Sequence, residues 1–280
     1  MASVNSAAKA LKALHVPKSP IVFANIWDVA SLNTVLSLND GDKMPVTAVA
    51  TASWAVAAAV GSKDEELTFE QNLEAISKLA PLCHKANLPL SSDLQDGYGS
   101  RIEQVVAAAV KAGVSGANIE DGIPSAGYGT GISGSLYPVD EQVRRLKTAL
   151  QAAEAAGCPD FVLNARCDVF CLEDPSLDDD TRVREAITRG KAFLGVGATT
   201  VFYWGGPRGG LTKANLQTLV KELDGRVAVL LGAYPGNPTV AELAELGVAR
   251  ISIGPTLYRA AMGAVQKAAL SILTDGKLPA

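Results

Sequence analysis

Two hydrophobic periods alternate along this chain. Short runs that are apolar almost throughout recur eight times: PIVFANI (20–26), PVTAVAT (45–51), LPLSSDL (88–94), GANIED (116–121), FVLNARCD (161–168), TTVFYWG (199–205), VAVLLGA (227–233) and RISIG (250–254). Longer segments with helical spacing lie between them, such as FEQNLEAISKLAPLCHKA, RIEQVVAAAVKAG, VDEQVRRLKTALQAAEAAG, TRVREAITRGKAFLGVG and TVAELAELG. The helical pattern LYRAAMGAVQKAALSIL follows the last run. Apolar strands separated by amphipathic helices predict a parallel sheet covered by helices. Gly113, Gly157, Gly197 and Gly247 follow helical segments and fit helix C-caps. Eight such units in 280 residues point to the α/β class and a closed (β/α)8 TIM barrel rather than an open sheet. No linker, charge run or low-complexity break interrupts the pattern. A single domain over residues 1–280 is expected, with residues 1–19 as an N-terminal helix and extension.

In a (β/α)8 barrel the active site sits at the C-terminal ends of the strands. Polar residues collect there: Asn25, Trp27 and Asp28 after strand one; Thr51, Ser53 and Trp54 after strand two; Asp93, Gln95 and Asp96 after strand three. Glu120 and Asp121 follow on strand four, Asn164, Arg166 and Asp168 on strand five, Tyr203 and Trp204 on strand six. Strand ends meet polar loops in any barrel. Acids on neighbouring strands three and four, with an arginine on strand five, ask for more than that.

Composition narrows the chemistry. Hydrophobic residues make up 48% of the chain and charged residues 19%, which argues against long disordered stretches. The net charge of −4 offers no basic excess to drive binding to nucleic acid, so none is expected as a partner. No apolar run approaches the roughly 20 residues of a membrane span, and no membrane association is expected. The N-terminal MASVNSAAKALKAL is acid-poor but lacks Arg and reads as an opening helix rather than a transit peptide. Cys83, Cys158, Cys167 and Cys171 form no C-x-x-C pair, and a secreted disulfide scaffold is not expected. The expected location is cytoplasmic. With only His15 and His84, a His-rich metal site or a Ser-His-Asp triad is disfavoured. Base chemistry falls to carboxylates, Tyr, Lys or Cys.

The segment S-D-L-Q-D-G-Y-G (92–99) puts Asp93 at the end of a buried strand. By position, Asp93 is a metal ligand, a general base or a cap for the next helix. One strand on, N-I-E-D (118–121) brings Glu120 to the same rim. Two converging carboxylates repel unless a cation lies between them, and hard oxygen donors with open water positions suit Mg²⁺. Arg166, in N-A-R-C-D-V-F, either clamps a substrate carboxylate or phosphate or makes an internal ion pair with Glu120 or Asp168. Both roles can coexist.

Together, F-A-N-I-W-D, V-G-S-K-D, D-L-Q-D-G-Y-G, G-A-N-I-E-D, N-A-R-C-D-V-F and A-E-L-A-E-L-G-V-A-R-I-S-I-G-P resemble the phosphoenolpyruvate mutase/isocitrate lyase superfamily over roughly residues 20 to 275. The resemblance implies a Mg²⁺-bearing barrel whose last helix is exchanged between subunits, giving a homodimer or homotetramer. It implies a small 2-oxo or 2-hydroxy carboxylate substrate and cleavage or formation of a C–C or P–C bond. The intermediate would be an enolate or oxyanion held by metal and Arg. Asp93 matches the direct metal ligand, and Asp64 and Glu120 match acids that hold metal-bound water. Arg166 matches the substrate-binding arginine. Thr51, Ala52 and Ser53 match a turn whose N–H groups bind the substrate carboxylate. The turn here reads T-A-S-W rather than glycine-rich, so Trp54 is expected to narrow the pocket. Asn25 and Trp204 complete the expected substrate-binding set.

Two departures bear on the reaction. Gln95 stands where the family pattern D-x-D-x-G-Y-G has a second acid. It can still bond a metal water but removes one negative charge, and the adjacent Asp96 points elsewhere on an extended chain. The loop D-G-I-P-S-A-G-Y-G-T-G-I-S-G-S-L-Y-P has neither the lyase K-[KR]-C-G-H signature nor the mutase Lys-Lys-Asn-Ser. It is Gly- and Ser-rich, as a moving lid would be. Its Tyr128 is the acid/base candidate, and Tyr137 is its other ionisable side chain. Cys167 reads as a packed thiol, whereas Cys171 lies close enough to approach the site. G-G-P-R-G-G (205–210) is either an anion-binding loop using Arg208 or plain surface. Trp27, Trp54, Tyr203 and Trp204 are candidates for an apolar pocket wall.

The expected function is a Mg²⁺-dependent C–C lyase acting on a small 2-hydroxy or 2-oxo carboxylate. The alternatives are phosphonopyruvate-type P–C chemistry, hydrolysis of an oxaloacetate-type substrate, and a non-catalytic carboxylate-binding barrel.

Overall fold

In a computed structural model, which describes residues 3–206, 211–232 and 237–278, the eight apolar runs form a closed parallel barrel in sequence order. The strands are β1 (Ile21–Ile26), β2 (Val49–Thr51), β3 (Leu90–Asp93), β4 (Gly116–Glu120), β5 (Val162–Arg166), β6 (Thr200–Tyr203), β7 (Val227–Leu230) and β8 (Arg250–Ser252). Closure comes from β8 pairing with β1, with Ile21 opposite Arg250 and Phe23 opposite Ser252. Each strand lies within its expected run and is shorter. Past the end of β8 the N–H groups of Ile253 and Gly254 donate to the Asn25 side chain of β1 instead of to a neighbouring strand.

Helices separate the strands: α1 (Val4–Ala13), α2 (Val29–Leu36), α3 (Ser53–Ala59), α4 (Phe69–Lys85), α5 (Ile102–Ala112), α6 (Gly131–Ser135), α7 (Val139–Ala155), α8 (Asp179–Gly195), α9 (Lys213–Glu222), α10 (Val240–Leu246) and α11 (Thr256–Asp275). Their starts obey capping chemistry. Asp28, Thr68 and Thr239 each close a capping box, satisfying the first orphan N–H groups of α2, α4 and α10. The opening helix α1 buries Ala8 and Leu11, and Leu11 reaches the start of β4. There Gly116 is required, because a Cβ would lie 2.5 Å from the Val162 carbonyl oxygen.

The main core fills the space between barrel and helices, with Leu90, Ile119, Leu163, Val201 and Ile251 on the strands and Ile76, Val106, Leu146 and Phe193 on the helices. The last helix differs from the others. None of the 20 residues of α11 is buried, and Met262, Val265, Leu270, Ile272 and Leu273 are exposed. No helix among the described residues is long and apolar enough to cross a membrane.

Candidate active site

The C-terminal rim of the barrel surrounds a cavity of about 1070 Å³. Asp64, Asp93, Gln95, Glu120 and Arg166 all line it, as do Ala52, Ser53, Trp54, Asn25, Tyr128 and Trp204. Thr51 does not. Its hydroxyl accepts from the Asp93 backbone N–H at 2.9 Å and is buried beneath the rim. Trp27 likewise lies outside the lining and packs edge-on against Tyr258.

Asp93 ends β3, where its Oδ2 accepts from both the backbone N–H and the hydroxyl of Ser53, each at 3.1 Å. The N–H of Ser53, expected to receive a substrate carboxylate, is engaged by this protein carboxylate instead. Gln95 follows in the left-handed region (φ +52°). Its amide Nε2 donates to the Asp64 carbonyl at 2.6 Å and to Asp64 Oδ1 at 3.2 Å. The glutamine thus ties the 64–66 turn to the β3 rim. Asp96 turns away, as expected. Its carboxylate accepts from the N–H groups of Tyr98 and Gly99 and from the Tyr137 hydroxyl, beside the Arg145 guanidinium.

The acids influence one another. Burial raises the Asp64 carboxyl above its usual range, and the Asp93 charge raises it further. Glu120 is held well above the usual carboxylate range by burial. The Arg166 guanidinium offsets part of that, while Asp168, Asp93 and Asp64 add to it. The Arg166 charge lowers both acids, and burial with the neighbouring carboxylates outweighs it. Among the described residues no three His, Cys, Asp or Glu side chains converge tightly enough to ligate one ion together. Asp64, Asp93 and Glu120 nonetheless form an all-oxygen set on one cavity. Such a set fits a hard ion that touches one carboxylate and keeps most of its water, as Mg²⁺ does.

Arg166 is pinned on three sides. Its Nη1 meets Glu120 Oε2 at 2.8 Å and its Nε meets Asp168 Oδ1 at 2.6 Å. Its Nη2 donates to the Tyr128 hydroxyl at 3.3 Å, and the guanidinium lies 5.1 Å from the Trp204 ring centre. Tyr128 in turn donates to Asp168 Oδ2 at 3.3 Å. Burial, reinforced by the Asp168 charge, raises its phenol and keeps it protonated. The internal ion pairs weighed for Arg166 therefore both form, on a side chain that still lines the cavity.

The loop that carries Tyr128 is more structured than its glycine content suggests. It holds a turn at Pro124–Ala126 and the short α6, and a bridge joins Gly122 to Leu136. Tyr137, its other ionisable side chain, is bonded to Asp96 rather than directed at the cavity.

Behind the rim runs a further ion pair. Asp121 Oδ1 accepts from the Asp168 N–H at 2.8 Å, and Arg189 Nη1 donates to Asp121 Oδ2 at 3.1 Å. Sequence reading misses Arg189 and Arg145. Both sit on the buried faces of α8 and α7, at helical spacing with Ala186 and Phe193 and with Ala149 and Ala152. An arginine within such an apolar stripe is the signal that could have found them. Tyr203 lines the cavity with Trp204, and its buried hydroxyl donates to the Ala186 carbonyl of α8 at 2.8 Å. All four cysteines are free and buried; Cys171 approaches Asp168 Oδ1 at 3.5 Å and Cys167 packs in the core. Arg208 lies outside the described residues.

The model of the family described as phosphoenolpyruvate phosphomutase matches residues 11–273. The chain belongs to this family. Its similarity to the phosphomutase family extends to solved structures: a provisionally named phosphonomutase from Burkholderia cenocepacia J2315 is 32% identical with a TM-score of 0.81, covering 98% of this chain and 100% of that one. An uncharacterized protein of Mycobacterium tuberculosis is 28% identical over 273 residues, 95% of this chain and 90% of its own. The 2-methylisocitrate lyase of Escherichia coli strain K12 is 30% identical over 138 residues, which are 48% of this chain and 42% of that lyase. Members of the phosphoenolpyruvate mutase/isocitrate lyase superfamily are enzymes, lyases and mutases among them.

Proposed function

We propose that this barrel is a Mg²⁺-dependent lyase that cleaves a C–C bond of a small 2-hydroxy or 2-oxo carboxylate. The observation that carries the reading is the convergence of Asp64, Asp93 and Glu120 with Arg166 on one cavity. Asp93 would touch the ion, with Asp64, Gln95 and Glu120 positioned toward its water. When bound, Mg²⁺ supplies the fixed positive charge that stabilises an oxyanion developing on the substrate. Arg166, fixed by Glu120, Asp168 and Tyr128 on the cavity lining, would supply the positive charge that meets the substrate carboxylate without reorganising. Ala52, Ser53, Trp54, Asn25 and Trp204 shape the walls. Tyr128, protonated and bonded to Arg166, would exchange a proton with the departing fragment. The loop that carries it lines the cavity through residues 122–128.

The exposed apolar residues of α11 support assembly into a homodimer or homotetramer through that helix. A strictly monomeric mass by light scattering at micromolar concentration would overturn the assembly.

A second reading, P–C bond chemistry, is favoured by the resemblance to a provisionally named phosphonomutase. Turnover decides between them. The protein is assayed with Mg²⁺ against 2-hydroxy and 2-oxo dicarboxylates and against phosphonopyruvate. Cleavage of a carboxylate that Asp93→Ala abolishes supports the lyase; turnover of phosphonopyruvate alone favours the second reading. Binding without turnover of any of them favours a carboxylate-binding barrel.

A further inference from the structure

Beneath the acidic rim, the barrel interior holds an arginine that none of the roles above uses. Arg250 opens β8 and is 0% exposed. Its guanidinium stacks 4.3 Å from the Phe23 ring centre. Its Nη2 donates to Ser91 Oγ at 3.2 Å and to Asn118 Oδ1 at 3.1 Å, while Nε and Nη1 have no partner. Among the described residues no carboxylate lies within ion-pair distance of it. Below it His15 is held neutral, lowered to about 3 by burial and by the Arg250 charge itself. Burial lowers Arg250 to about 9, which leaves it charged at neutral pH, and Asp93 is the acid that acts against this.

The placement is specific. Ser91 precedes Asp93 by two residues on β3, and Asn118 precedes Glu120 by two on β4. Residues two apart on a strand share a face and stand roughly 6.6 Å apart along it. The guanidinium therefore lies one side-chain layer under the two acids. Asn118 also accepts from Asn164 at 2.8 Å, and Asn164 accepts from Thr200 at 2.6 Å. With the two bonds of Arg250, these lock the layer across five strands, β3, β4, β5, β6 and β8. An unpaired charge in a buried site is costly and is felt over a longer range than one in water.

We infer that Arg250 is a positioning charge that sets the balance between cation and anion binding in the cavity above it. It opposes a divalent ion at Asp93 in the empty site and favours the anionic substrate once the ion is there. It does in part what a less acidic rim, with Gln95 in place of an acid, does from the side. The inference rests on the Mg²⁺ reading of the preceding section.

The test is calorimetric titration of Mg²⁺ alone, then of oxalate at saturating Mg²⁺, into wild type, Arg250→Met, Arg250→Lys and Ser91→Asp, with thermal midpoints for each. Methionine keeps the volume and removes both the charge and the unpaired donors. Arg250→Met should bind Mg²⁺ about tenfold tighter and oxalate about tenfold weaker, opposite signs that a packing defect would not produce. Arg250→Lys should keep both affinities within about threefold of wild type. Ser91→Asp neutralises the arginine in place and should move both affinities as methionine does, so the outcome remains readable if the methionine variant fails to fold. Unchanged affinities in the folded variants, or a fall in both together, would overturn the inference. Wild type that binds no Mg²⁺ would overturn the metal reading and this inference with it.

Discussion

Asp93 and Asp96 lie three residues apart at the top of β3, and both carboxylates are largely buried. Asp96 is surrounded by donors: two backbone N–H groups, the Tyr137 hydroxyl and the Arg145 guanidinium. Asp93 accepts two bonds on Oδ2 from Ser53, while Oδ1 has one long contact of 3.4 Å from the Gln95 N–H. It faces other acids, Asp64 and Glu120, whose carboxyl groups it helps to raise. The difference separates a carboxylate that holds a turn together from one left with capacity to bind a ligand. A buried acid with every lone pair matched to a donor is structural. A buried acid facing other acids asks for a cation.

Substitutions at the two positions should therefore fail in different ways. The largest expected effect is at Asp93. Asp93→Ala should lower Mg²⁺ affinity by more than about a hundredfold while leaving the thermal midpoint near that of wild type, since removing an acid from a cluster of acids relieves repulsion. Calorimetry and a melting curve on the same sample check both halves. Asp96→Asn should do the reverse. Loss of a buried ion pair with Arg145 costs about 3 kcal/mol, read as a lower urea midpoint, with Mg²⁺ affinity retained by the folded protein. Equal loss of metal affinity at both positions would erase the distinction.

A smaller change should sharpen it. Gln95→Glu adds a fourth acid to Asp64, Asp93 and Glu120, and bare Mg²⁺ should bind roughly tenfold tighter, about 1.4 kcal/mol. The pH prediction is smallest. Burial raises Asp121 to about 6 from an ordinary 3.8, despite its Arg189 partner. The folded protein then takes up that proton before the unfolded chain does. Its contribution to stability is complete below about pH 4 and is lost as pH rises through about 6. Urea midpoints across that window should fall with pH, less steeply in Asp121→Asn.

The barrel was legible because burial on both faces forces each strand to be apolar throughout, a pattern helices do not share. The rim residues were legible because they interrupt those runs at one end. Strand ends were overrun wherever a polar side chain, such as Asn25 bonding the Thr51 carbonyl and the N–H groups of Ile253 and Gly254, replaces the ladder. No local pattern announces such partners, which are over 200 residues away in the case of β8. The same holds for Tyr128 meeting Arg166 across 38 residues and for Ser53 meeting Asp93 across 40. Asp93 and Asp96 look alike in sequence. Only the three-dimensional inventory of donors tells them apart.

The central claim is that the acids around Asp93 and the arginine beside them form one site for a metal and a carboxylate. A thermal-shift titration with Mg²⁺ and oxalate, separately and together, tests it most directly, because a ligand of the folded state raises its apparent stability by mass action. The joint shift should exceed the sum of the separate ones, and disappear in Asp93→Ala. No shift with either ligand or with both would contradict it.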